Sequence, residues 1–416
     1  MGSLFYAGTQ GAMMVLLSKL AGAETVGKLA LGLGVTASII LFTNLQLRSL
    51  QATDADRDYR PGHYLALRLL MTTIGLLIMA AIVFTSGYTA EKATVILIIG
   101  LAKGVESISD VLFGLLQQRE RLDYISKSVM IKGVMGLLSM IITVAVTQSI
   151  ILGCLALLVS WACVLIFYDI PSIRSMAALT EGPDAITPLE ALTPQWEWRH
   201  LKRLAQLSLP LGFVMMMISL NNNIPTYFMD HYQNASDLGI FSVIQYLMVA
   251  GTTVITSLGQ STIPRLACYY ADGEETPFIR LALKLLVVSS VMAVIGVLVA
   301  LIGGKPLLIL LFTEEFAKDE HILVLGMVAA GISYLASFAG YTITAARVYR
   351  IQPLLFALTT GVTFLACAAL IPRDAVRGGI WVMVITNLVQ FTGSLMIVIY
   401  AVRRIRGSEK ERAVYA

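Results

Sequence analysis

Apolar residues come in blocks of about 17 to 25 along most of the chain, with no strict alternation of the kind a half-buried strand requires. A helix needs roughly 20 such residues to cross the hydrocarbon core of a bilayer. The blocks fall at residues 4–20, 26–46, 63–84, 93–116, 128–146 and 150–168, and then at 204–227, 238–262, 278–302, 322–346, 353–371 and 378–402. This pattern predicts an all-α, polytopic membrane protein of about twelve transmembrane helices. The polar interval between the sixth and seventh blocks divides them six and six. It gives an N-terminal six-helix bundle over 1–170, a connector over 171–203, a C-terminal bundle over 204–402 and a basic tail over 403–416. Trp196 and Trp198 in the connector predict a helix lying at the membrane interface and leading into the seventh span. The first block has no basic segment before it and no small-residue cleavage site, so it is expected to be a retained span.

Composition agrees. The 416 residues are 57% hydrophobic and 13% charged, against about 25% charged in soluble domains. A net charge of +4 is too small to favour nucleic acid. The placement of charge says more. Basic residues gather at alternate loops, at Arg48, Arg57 and Arg60; Arg119, Arg121 and Lys127; Arg174 to Arg203; Arg265 to Lys284; Arg347 and Arg350; and Arg403 to Arg412. The opposite loops carry only Lys19, Lys28, Lys92, Lys305, Lys318, Arg373 and Arg377. The positive-inside rule puts the richer side, and with it both termini, in the cytoplasm. Cys154, Cys163, Cys268 and Cys367 show no metal-ligand spacing and are expected to pack as small apolar residues. The four histidines lie in separate loops or helix ends, no hydrolase or ATPase motif is present, and neither a cofactor nor enzymatic activity is expected.

The unusual residues are charges inside the apolar blocks. Lys103, Glu106 and Asp110 of the fourth block, with Gln117, fall within about 60° of one another on a helix. Each charge costs about 2.5–3.5 kcal/mol near the bilayer centre, so a shared stripe facing protein or water is the tolerable arrangement. Two readings stay open: a Lys103–Glu106 pair that tethers the helix to a neighbour, or the lining of a polar cavity. Asn44, Gln46 and Arg48 in the second block, Arg68 in the third and Lys132 in the fifth favour the cavity. In the second half, Asn221, Asn222 and Asn223 precede Pro225, which predicts an interrupted seventh helix. Gln245, Gln260, Tyr334, Ser337, Tyr341, Thr344, Asn387 and Gln390 add neutral polar groups. Cations suit a phosphate, carboxylates suit a coupling proton or Na⁺, and amides suit sugar hydroxyls. Weak likenesses between the halves, such as the arginines Arg48 and Arg265 ending the second helix of each, predict a six-helix unit repeated about an axis along the membrane normal.

The runs 44–55, 102–123, 223–242, 258–274 and 304–317 resemble bacterial polysaccharide flippases of the Wzx type, in the multidrug/oligosaccharidyl-lipid/polysaccharide exporter superfamily. The similarity extends from the second helix to about residue 320. It implies two six-helix bundles in a V around a central cavity, working by alternating access in the bacterial inner membrane. The cargo it implies is an undecaprenyl-pyrophosphate-linked oligosaccharide for a surface polysaccharide such as an O-antigen or exopolysaccharide. By that resemblance Arg48, Lys103 and Lys132 are candidates for the pyrophosphate or acidic sugars, and Glu106 and Asp110 for ion coupling. Asn221, Asn222, Asn223, Gln245, Gln260, Tyr341, Asn387 and Gln390 are candidates for the cavity wall. A polysaccharide polymerase and chain-length machinery are implied partners, besides membrane lipids. Thr226 departs from the pattern, standing where relatives carry a basic residue. The basic lead-in before the first helix is also missing, so either the start lies upstream or this N-terminus is shortened. The competing function is a cation-coupled antiporter of drugs or small metabolites in the same superfamily; a membrane glycosyltransferase would need a larger extramembrane loop.

Overall fold

The computed structural model describes the chain except residues 1, 55–57, 180–186, 318–319, 347, 349–350 and 416, and the backbone alone at 3, 178–179, 250, 257, 315, 317, 320 and 405–415. Arg57, Lys318, Arg347 and Arg350, and the side chains of Arg406, Lys410 and Arg412, therefore lie outside the described residues. The described chain is helical with no strand. In lipid, where no water can serve an open amide, a helix satisfies its backbone within itself.

The chain forms two compact units, Met1–Asn223 and Ile224–Ala416. The first holds α1 (Gly2–Thr43), α2 (Leu47–Thr53), α3 (Pro61–Thr85), α4 (Ala90–Gln118), α5 (Leu122–Thr147) and α6 (Ile150–Val164). A π-helical turn, Leu165–Asp169, continues α6 into α7 (Ile170–Leu179), and α8 (Pro188–Leu192) follows. Helix α9 (Trp198–Tyr232) crosses the boundary between the units, and the second unit adds α10 (Ala235–Asp272), α11 (Glu275–Leu311), α12 (Glu320–Ala345) and α13 (Gln352–Tyr415).

Every apolar block falls in a helix except for the last residues of two, 44–46 after α1 and 346 after α12. Nine helices among the described residues are long and apolar enough to cross a membrane. Two contain a pair of blocks each: α1 breaks at Gly22 (φ 75°), and α13 at Ala375 (φ 45°, ψ −126°). Positive φ is routine for glycine and costly for alanine. Helix α4 is not among the nine; its charges set it apart. Local chemistry fixes several helix starts. The Ser149 hydroxyl accepts from the Leu152 N–H, and the Asn234 amide oxygen accepts from the Asp237 N–H at 2.8 Å.

One local expectation fails. Helix α9 runs without a break through Asn221–Pro225. Proline withdraws one N–H from the ladder, and the helix continues through the site without it, as membrane helices commonly allow. Asn223 bonds backward along the same helix, its Nδ2 donating to the Ser219 carbonyl at 2.9 Å.

In the first unit α4 is central: α1, α2, α3, α5 and α6 all pack on it. Apolar clusters flank it, one built on Leu45, Leu65 and Leu204 and one on Leu112, Leu116 and Ile173. The connector is docked where it is described. The Gln195 N–H donates to the Gly62 carbonyl at 2.9 Å, and a Cβ on Gly62 would lie 2.5 Å from the Thr193 oxygen. In the second unit α12 takes the central place, against α10, α11 and α13.

Candidate functional site

The charges of α4 do gather on one face, and each finds a partner. Lys103 Nζ donates to Glu106 at 2.7 Å, and the Tyr6 hydroxyl from α1 donates to the same carboxylate at 3.0 Å. Asp110 accepts from Arg68 Nη2 of α3 at 2.9 Å and stands 3.5 Å from Arg48 Nη1. Arg68 is wholly buried and also donates to Asn44 Oδ1. Two turns on, Arg48 Nε donates to Gln117 at 3.1 Å. The close approach of α2 to α4 that permits this depends on Gly114, where a Cβ would meet the Arg48 backbone at 3.2 Å.

Between these helices lies a cavity of about 310 Å³ lined by Tyr6, Arg48, Glu106, Asp110, Phe113 and Lys132, among others. Four of the residues predicted for the site thus meet in one place: Arg48, Glu106, Asp110 and Lys132. Arg48 and Lys132 both approach the Phe113 ring, with guanidinium carbon and ammonium nitrogen 5.6 and 5.1 Å from its centre. Lys103 stands aside, paired to Glu106 and 5.1 Å from the Trp161 ring centre. The tether reading of Lys103 and the cavity reading of Glu106 and Asp110 both describe this unit.

Sequence reasoning missed Asp169. It lies at the end of the π-helical turn, 1% exposed at its side chain, and pairs with Lys132 at 2.7 Å. Ser109 Oγ of α4 donates to it at 2.6 Å, and Ser128 Oγ of α5 donates to its other oxygen. A block ending at Tyr168 left this carboxylate just outside the membrane region. The available signal was an aspartate against the end of an otherwise uncharged span.

The remaining predicted residues do not meet around this cavity. Asn221 is buried and Asn222 exposed on α9, which is joined to α1 by Ser38 and Ser219, whose hydroxyls lie 3.1 Å apart. In the second unit, Asn387 Nδ2 donates to the Ala329 carbonyl at 3.2 Å, tying α13 to α12. Tyr341 packs its ring over Gly259, Gln260 is exposed, and Gln245 and Gln390 are half-buried. The Tyr334 hydroxyl donates to the Met248 carbonyl at 3.2 Å, an interhelical tie.

Two of the histidines expected to stand apart come together. His63 and His200 stack with ring centres 4.7 Å apart, and Glu197 lies 3.7 Å from His63 Nε2 and 2.9 Å from His200 Nδ1. Two imidazoles and a carboxylate are a zinc-type donor set. The Arg60 N–H, however, donates to His63 Nδ1 at 3.2 Å. The neutral ring therefore carries its proton on Nε2, the nitrogen a metal would need. The cluster serves as a polar clasp between α3 and the start of α9.

Residues 3–269 match the polysaccharide biosynthesis protein family. The chain belongs to that family. Of its relatives, the capsular polysaccharide biosynthesis protein CapF of Staphylococcus aureus is 26% identical over 379 residues, 91% of each chain. An inward-facing multidrug-resistance MATE transporter of the MOP superfamily superposes over 99% of this chain and 96% of its own, with a TM-score of 0.69 at 13% identity. The lipid II flippase MurJ in its inward closed conformation covers 97% and 88%, with a TM-score of 0.65 at 10% identity. At such identities the likeness is one of fold, and the fold is that of MOP-superfamily transporters. Family membership assigns the chain to polysaccharide biosynthesis, and the fold and the apolar helices make it a multi-pass membrane protein.

Proposed function

We propose that the protein flips a lipid-linked oligosaccharide repeat unit, carried on undecaprenyl diphosphate, across the bacterial cytoplasmic membrane for assembly of a surface polysaccharide. The observation that carries this reading is the charge of the cavity wall. Arg48 and Lys132 both line the cavity and both approach the Phe113 ring, while the carboxylates there, Glu106 and Asp110, are already engaged by Lys103 and Arg68. Two cations beside an aromatic face suit a diphosphate headgroup, whereas an antiporter of cationic drugs would be served by carboxylates left open. Arg48 and Lys132 take the headgroup. Glu106 and Asp110 are the candidates for coupling to H⁺ or Na⁺, since a proton or cation there would free Lys103 or the arginines. The amides of the second unit, Gln245, Gln260, Asn387 and Gln390, with Tyr341, are candidates for the sugar hydroxyls. A polymerase and chain-length machinery would take the delivered units.

Deletion of the gene is expected to abolish one surface glycan and leave its lipid-linked repeat units on the cytoplasmic face. Complementation with Arg48→Gln should restore export at least tenfold less well than the wild type. Normal glycan in the deletion strain, with no second transporter present, would sink the proposal.

A further inference from the structure

The three carboxylates of the charged network are not equivalent. Glu106 and Asp110 line the cavity; Asp110 stands beside Arg48, which lines it too, while Glu106 pairs with Lys103 to one side. Asp169 does not line it, being 1% exposed behind the wall that Lys132 forms. An anion approaching Arg48 meets Asp110 next to the cation. An anion approaching Lys132 meets an ammonium whose ion-pair partner is on the far side; the carboxylate near it on the cavity wall, Glu106, is already engaged by Lys103 and Tyr6.

The π-helical turn makes this placement. Residues Leu165–Asp169 carry the widened turn, and π turns commonly re-aim a side chain at a functional position. Asp169 is then held from two further helices, by Ser109 of α4 and Ser128 of α5, each donating to a different oxygen. The carboxylate accepts three hydrogen bonds and cannot turn toward the cavity without losing them. Lys132 gives it one N–H, at 2.7 Å. An ammonium has three, and the side chain lines the cavity.

We infer that Asp169 is the positioning residue that makes Lys132 the principal anion-binding group of this cavity, balancing its charge from behind while leaving its free N–H donors to the cargo. The inference rests on the reading that the cavity receives a diphosphate. It assigns the pair to recognition, where a tether between α5 and the π turn would have no need of a particular polarity.

Polarity is what the test varies. The full-length protein in lipid nanodiscs is titrated with inorganic diphosphate by calorimetry, and thermal unfolding is followed in parallel. The wild type should bind. Asp169→Asn, which keeps an acceptor for a serine but gives up the charge, should weaken binding at least tenfold, and Asp169→Glu should recover part of it. In the exchanged double variant Lys132→Asp/Asp169→Lys the ion pair remains but a carboxylate faces the cavity. It should unfold within a few degrees of the wild type and lose diphosphate binding. Binding within twofold of wild type in either Asp169→Asn or the exchanged variant would reduce the pair to a tether and overturn the inference. Should Asp169→Asn fail to fold, the exchanged variant decides. Should the exchanged variant also fail to fold, Lys132→Gln/Asp169→Asn, a neutral pair of similar shape, decides in its place by losing binding or keeping it. A wild type that binds no diphosphate would remove the anion cavity itself, and the proposed function with it.

Discussion

Lys132 and Asp169 are 3% and 1% exposed at their side chains, so both charges are withdrawn from bulk water. Taking two ions from water costs several kcal/mol each, and their attraction offsets this only with good geometry and further hydrogen bonds. Ser109 and Ser128 supply those bonds here. Removing one partner leaves the other charge uncompensated. Lys132→Met is therefore expected to destabilise the protein by about 3–5 kcal/mol, and adding Asp169→Asn should recover most of it. Unfolding midpoints in detergent measure both. Gly114 is a second sensitive residue. A leucine there overlaps the Arg48 backbone, and overpacking of this kind costs about 1–3 kcal/mol. Gly114→Leu should lower the melting temperature and, by pushing Arg48 off Gln117, weaken anion binding as well.

Among the helices, the spacing of Lys103, Glu106 and Asp110 was enough to place them on one face, because 3.6 residues per turn is a property of the chain itself. The Lys103–Glu106 pair was legible for the same reason, but the partners from other helices were not. Tyr6, Arg68 and Asp169 lie far from α4 in sequence, and only packing brings them to it. The π turn has no sequence signature, and without it the end of the sixth block reads as an ordinary span terminus. Asn221–Pro225 misled in the opposite direction, since a proline rule that breaks isolated helices gives way inside a packed membrane bundle. Ala375 is the other local irregularity: an alanine at φ 45°, ψ −126° occupies a region that favours glycine. Backbone strain of this sort costs of order 1–3 kcal/mol. Ala375→Gly should raise the melting temperature of the purified protein; an unchanged or lower value would count against strain at the turn. In α8, Thr187 and Glu190 form a reciprocal cap. Hydrogen bonds from the Thr187 backbone N–H and then its hydroxyl hold the Glu190 carboxyl below the usual carboxylate range. A depressed carboxyl stabilises the folded state above the unfolded pKa of about 4.3, and that stabilisation fades as pH falls through the lower folded value. Amide protection at residues 190–192 should be full at pH 7 and decline below about pH 4. Glu190→Gln should remove the pH dependence.

For the molecule as a whole, the apolar blocks gave the fold class and the order of helices, since bilayer thickness imposes one length on every span. The positive-inside count goes further and proposes both termini in the cytoplasm. Alkaline phosphatase fused after residue 404 should be inactive and a fluorescent protein at the same place bright. The reverse result would invert the topology. Function was less accessible: which cations keep a carboxylate beside them and which keep it behind is a distinction that charge counts do not contain.

The π turn at Leu165–Asp169 also makes the reading frame of the helix a functional variable. The turn takes up one residue more than a regular one, and the same residues wound as α-helix would leave composition and hydropathy unchanged. The aspartate would then be carried about 100° around the axis, away from Ser109, Ser128 and Lys132. A chain could keep every residue of this network and still lose the site, by winding that one turn more tightly.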